Sequence, residues 1–139
     1  MLKERLTVYA GLSLEEAEVL RERARAFLEN AEYLYGRGLY DLAVFNIEQY
    51  SQLILEYKLL VKTGSYPRTH SITLLLRLLS RIDERVKVLL ERDDYFILLT
   101  KLEDACIGSR YLPRRYEERE TRLLLNFVKE VFVPLVGRI

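Results

Sequence analysis

The sequence predicts an all-α protein, an up-and-down four-helix bundle with one or two short accessory helices. Apolar residues recur at helical spacing in every long segment, and glycine or proline punctuates the joins. No stretch alternates apolar and polar residues for long enough to make a strand. With 139 residues the chain can bury one real core but not two, so a single domain over residues 13–139 is expected, preceded by an extension over residues 1–12.

Ser13-Leu14-Glu15-Glu16 has the form of a capping box, with Ser13 accepting from the amide of Glu16 and Glu16 reaching back, so the first long helix is expected to start there. It carries Leu20, Ala24, Phe27, Leu28, Ala31 and Leu34, and ends near Gly36 or Gly38, either of which accepts the left-handed cap conformation. The second helix, Tyr40 to Lys62, has Ala43, Ile47, Tyr50, Ile54, Tyr57 and Val61 on one stripe, which Leu42, Leu53 and Leu60 widen. Gly64 and Pro67 break that pattern, and Ile72, Leu75, Leu76 and Leu79 restore it between Ser71 and Arg81. Asp83 is placed to cap a short helix reaching Glu91. A longer helix follows from Tyr95 to Arg110. The last, Arg115 to Val136, should bury Leu124, Leu125, Val128, Val131 and Phe132. Short connections suit antiparallel neighbours.

Composition narrows the function. Basic and acidic side chains number 22 and 21, a formal net charge of +1, so any contact with nucleic acid must come from a local patch. The one cysteine, Cys106, permits no internal disulfide and no cysteine-based zinc site, which fits a reducing cytoplasm. The opening MLKERLTVYA has charges where a signal peptide needs an apolar core, and no run approaches the ~18 to 20 apolar residues of a membrane span. A soluble cytoplasmic protein is expected. Sparse Asn, Gln, Met and Cys beside abundant Arg, Glu, Leu and Tyr is the bias of a thermophile protein, in which charge clusters also serve as surface networks.

Two places carry residues suited to chemistry. His70, the sole histidine, stands in YPRTHS where a helix begins, so it is either a base near an anion-binding helix start or a neighbour of a Thr69 or Ser71 cap. In GSRYLPRRYEERE, the residues Glu117, Glu118 and Glu120 belong to the first turns of the last helix, where negative charge suits the helix dipole, and Pro113 marks the break before it. What remains is Arg110, Tyr111, Arg114, Arg115 and Tyr116, guanidinium forks interleaved with rings that stack on bases, or else a surface ion network. Arg110 lies two turns beyond Glu103 on the packed stripe of its helix, where a charge requires a carboxylate partner or a bound anion. Glu48, Gln49, Gln52 and Glu56 gather opposite most of the apolar stripe of the second helix and read as a solvated face. Asn46 falls inside the apolar arc and needs partners. No glycine-rich phosphate loop, paired-histidine metal site or nucleophile elbow is present, so no metal or cofactor is expected.

From Ala24 to Val131 the order of segments resembles the HEPN family of small helical domains. The resemblance rests on AEYLYGRGLYDLAVF, on the glutamine in FNIEQYSQLILEYKLL, on PRTHSITLLL and on the SRYLP turn. It implies a HEPN-like bundle that forms a homodimer and partners a minimal nucleotidyltransferase in a toxin–antitoxin pair. Some members are metal-independent RNases that resemble one another in an arginine followed about four to six residues later by a histidine. Here no histidine follows Arg110, Arg114 or Arg115, Leu53 and Glu56 stand where relatives are lysine-rich, and Leu112 displaces the usual proline to Pro113. The expectation is therefore a domain binding nucleotide or RNA phosphate through Arg68, His70, Arg110, Tyr111, Arg114, Arg115 and Tyr116, without strong catalysis. Its alternatives are an RNase using His70 and Arg110, and a purely structural dimeric module.

Overall fold

Two long helices frame the molecule, α1 (Leu2–Gly36) and α2 (Tyr40–Thr63), paired antiparallel. The computed structural model describes residues 2–111 and 115–137, with side chains described over 14–105 and 115–137. Gly38 makes the reversal between the two helices possible: its φ is +74°, a left-handed conformation. The amide of Leu39 donates to Leu34 O at 3.0 Å and that of Gly38 to Tyr35 O at 3.0 Å, the paired bonds of a Schellman cap. Of the two glycines expected to end the helix, Gly38 takes the special conformation and Gly36 stays helical.

α1 does not begin at Ser13. It runs from Leu2 straight through the Ser13–Glu16 box, because a cap sequence stops nothing when the residues before it, LKERLTVYAGL, are mostly good helix formers. α2 ends where expected, at Gly64 with φ +87°, whose amide donates to Leu60 O. α3 (Ile72–Ser80) is capped by Ser71, which accepts from Leu74 N at 3.1 Å, and Thr69 Oγ1 accepts from Ser71 N at 3.1 Å. Asp83 caps a short 3₁₀ turn (Glu84–Lys87) that leads into α4 (Val88–Glu91). Its carboxyl is held down at about 2 by hydrogen bonds from the Arg85 side chain and backbone.

α5 (Asp93–Tyr111) is followed by α6 (Glu118–Phe127), whose start carries a reciprocal box between Glu117 and Glu120. The final segment is not one uniform helix. A π turn (Val128–Phe132) separates α6 from α7 (Val133–Gly137), next to Pro134, which has no N–H to return to the preceding turn. Phe132 is fully buried there, edge-on to Tyr50 at 6.3 Å, whereas Val131, expected in the core, is only half-buried.

The core gathers around α2, which packs against α1, α3, α5 and α6. Ile47 and Leu55 meet Leu75, Leu76 and Leu79 of α3, Leu99 and Leu102 of α5, and Leu124 of α6. Among the described residues every regular element is helical. Central placement also explains the buried asparagine. Asn46 donates to Leu42 O at 2.7 Å and accepts from Asn30 Nδ2 of α1 at 3.0 Å, so one side chain satisfies a helix carbonyl and fixes the α1–α2 register. We expect Asn46→Ala to cost about 1 kcal/mol in urea denaturation. An unchanged midpoint would show that the pair adds nothing net.

Candidate functional site

The face of α2 expected to be solvated is buried. Glu48 is fully buried, Gln52 and Glu56 retain 7% and 8% exposure, and Gln49 is half-buried. The burial has a physical cause: a helical wheel ranks the faces of one helix, but α2 is surrounded, so its polar side is covered as well. Gln49 Nε2 donates to Glu48 Oε2 at 2.7 Å, and Gln52 Nε2 donates to Thr69 O at 2.7 Å and lies 3.2 Å from His70 Nδ1. Gln52 therefore ties the chain before α3 to the middle of α2. Burial raises the Glu56 carboxyl from the ordinary 4.5 to about 7; a hydrogen bond from Gln52 opposes the rise and the nearby charge of Glu16 adds to it. Tyr66, which donates to Glu16 Oε1 at 2.8 Å, is pushed up to about 12, first by burial and then by that carboxylate.

Glu103 on α5 serves α3. Its Oε1 accepts from Thr73 N at 2.6 Å, from Ser71 Oγ at 2.9 Å and from Thr73 Oγ1 at 2.9 Å. A carboxylate at the start of a helix answers donors that have no partner inside the helix and complements its dipole. This role was not legible beforehand, since the donor and acceptor are thirty residues apart.

At the other end of α2, Asp41 Oδ1 accepts from the amide of Tyr116 at 2.6 Å, fixing the approach to α6. Tyr35 of α1 donates to Glu118 Oε1 at 2.7 Å, a bond that raises the tyrosine's pKa and adds a second strap to α6. Between them opens a cleft of about 360 Å³, lined by residues 38–42 together with Arg115 and Tyr116. Arg115 is exposed on it. Tyr116 is 5% exposed, its ring packed into the core, so it is not free to stack on a base.

The expected site residues thus fall into separate places. Arg68 and His70 are exposed beside Gln52, while Arg115 lies beside Asp41, and these anchor points are eleven residues apart on α2, about 16 Å at helical rise. α5 connects the two levels, with Glu103 at one and its C-terminal end leading to the other. The backbone of Arg110 and Tyr111 belongs to α5, but their side chains, and Leu112, Pro113 and Arg114 altogether, lie outside the described residues.

A chain with this central α2 and this order of helices can be set against known families. The sequence model of the HEPN domain matches residues 17–138 of the 139. The chain belongs to the HEPN family. No curated protein matches it significantly. HEPN domains are associated with nucleotidyltransferase partners and with RNase activity. Among the described residues of this HEPN domain, no three acidic, histidine or cysteine side chains are grouped to hold a metal ion, and no helix is long and apolar enough to cross a membrane.

Proposed function

We propose that this HEPN domain binds the phosphate of a nucleotide or RNA at the junction of α5 and α6, as a homodimer partnering a minimal nucleotidyltransferase in a toxin–antitoxin pair, without strong catalysis. The observation that carries the reading is Arg115, an exposed guanidinium on the lip of the 360 Å³ cleft. It makes no ion pair among the described residues, and Asp41, which also lines the cleft, is engaged by the Tyr116 amide. Arg110, Tyr111 and Arg114 are assigned to the same reading from the sequence alone, their side chains lying outside the described residues. Tyr111 is the ring assigned to stacking, and Tyr116 serves as part of the wall. Arg68 and His70 sit about 16 Å away along α2, so contact with both ends requires an RNA strand rather than a mononucleotide.

The RNase reading asks His70 to act with Arg110. What favours binding over cleavage is that the histidine lies at the Gln52 level and none follows the arginines of the junction. The test is the affinity for a short single-stranded RNA at two salt concentrations. Arg115→Ala should weaken binding about tenfold, roughly 1.4 kcal/mol, with affinity falling as salt rises and the RNA left intact without metal. A folded parent without measurable affinity, or an indifferent Arg115→Ala, would leave the arginines as a surface network. Metal-independent cleavage lost in His70→Ala would instead make the domain an RNase.

A further inference from the structure

α1 is one helix held by two separate cores. From Ala24 onward it belongs to the main core, with Ala24 and Ala31 fully buried, whereas Ala17 and Leu20 join Leu60 of α2 in a smaller group backed by Leu53, Tyr57 and Tyr66. Between the two, Arg21, Glu22 and Arg23 are exposed. A stretch held by so little apolar surface can open while the rest of the protein stays folded, since local stability follows what each element buries.

Polar contacts close this smaller core. Tyr66 donates to Glu16 of α1 at 2.8 Å from the connection between α2 and α3, which Gln52 anchors to α2 through Thr69 O. Glu56, one turn before Leu60, is buried beside them. Its neighbours serve an ionised carboxylate poorly. Glu16 brings like charge from α1, and both carboxylates bear on the Tyr66 hydroxyl, whose single proton goes to Glu16. Gln52 is the donor on its own helix, but Thr69 O takes one hydrogen of the amide, and His70 Nδ1 lies 3.2 Å from the same nitrogen. Arg68 brings positive charge to the Tyr66 side, and Glu103 of α5 is committed to Ser71 and Thr73. A charge at Glu56 is therefore relieved by water and by distance from Glu16. Both come when α1 moves away.

We propose that residues 14–20 of α1 form a pH-operated clasp, shut on α2 while the Glu56 carboxyl holds its proton and released when that carboxyl ionises beside Glu16. Burial above all raises the carboxyl from 4.5 to about 7, so closure has its full strength below about pH 4.5 and loses it as the pH rises through about 7. Movement stops at Ala24, which the main core keeps in place. The clasp is thus a local opening, distinct from the loss of the whole fold, and its range includes neutral pH.

Amide hydrogen exchange on the full chain tests this, with each rate divided by the intrinsic rate at the same pH. Residues 17–23 should be at least about tenfold less protected than residues 47–55 and nearly indifferent to low urea, the mark of a local opening. Their protection should fall about tenfold between about pH 6 and 8. Glu56→Gln should abolish that fall. Glu16→Gln keeps an acceptor for Tyr66 but removes the like charge, and should reduce the fall to about threefold. Tyr66→Phe removes only the strap and should lower protection of the same residues about threefold at about pH 6. Residues 17–23 exchanging in step with 47–55 and equally urea-dependent, or protected equally at both pH values, would overturn the clasp. So would a fall that persists undiminished in Glu56→Gln, or a Tyr66→Phe variant with unchanged protection.

Discussion

Glu103→Ala should destabilise the fold by about 2 to 4 kcal/mol, because one carboxylate oxygen serves the Thr73 amide and the Ser71 and Thr73 hydroxyls together. Its loss strands these donors at the start of α3, where no helical carbonyl is available to replace it. Ser71 is itself the α3 cap, accepting from Leu74 N, so it links Glu103 to the helix. Ser71→Ala and Glu103→Ala should therefore be non-additive in a double-mutant cycle, with the pair costing less than the sum of the single changes. Glu103→Gln keeps an acceptor and should recover about half the loss. Denaturant curves at neutral pH decide it. A Glu103→Ala cost under about 0.5 kcal/mol would mean that water satisfies α3 equally well.

The second large effect is a dependence on pH. The Glu56 carboxyl holds its proton more tightly in the folded chain, at about 7, than at the ordinary 4.5. Its contribution is fully present below about pH 4.5 and is lost as the pH rises through about 7, so ionising Glu56 weakens the fold at alkaline pH. Water still reaches part of the site, which reduces the effect to about 1 to 2 kcal/mol. Glu56→Gln, always neutral, should be the more stable protein at pH 8 and equal to the parent near pH 4.5. The readout is the parent's stability minus the variant's across that range. Parallel curves would show that Glu56 ionises freely in the folded protein.

Both effects depend on contacts that no single segment announces, whereas much of the frame was legible residue by residue. The span of α2, its Gly64 stop, the Ser71 cap, the Asp83 cap and the glutamates opening α6 are local, settled by side chains within four residues of the backbone groups they serve. For the same reason the order of HEPN segments could be read from AEYLYGRGLYDLAVF onward, and the family match over residues 17–138 agrees with it. Local rules failed where the flanking sequence or a neighbouring element had the casting vote. The Ser13 box is a sound start signal, but the helix formers before it extend α1 to Leu2. Tyr116 looked like a stacking ring because it sits among arginines, and the core took it.

What the sequence determined by itself is the set of helices, their punctuation and the family, because periodicity and capping act within one or two turns. What only the tertiary structure decided is which polar groups face protein instead of water: Glu48, Gln52 and Glu56 are covered because α2 is enclosed by α1, α3, α5 and α6, Asn46 meets Asn30 across α1, and Glu103 meets Ser71 and Thr73 across α3. A helical wheel orders the faces of one helix and carries no information about whether another helix lies on its polar side. In the native protein burial is decided by that second helix, and with it the energy and the protonation of every charged group on the face.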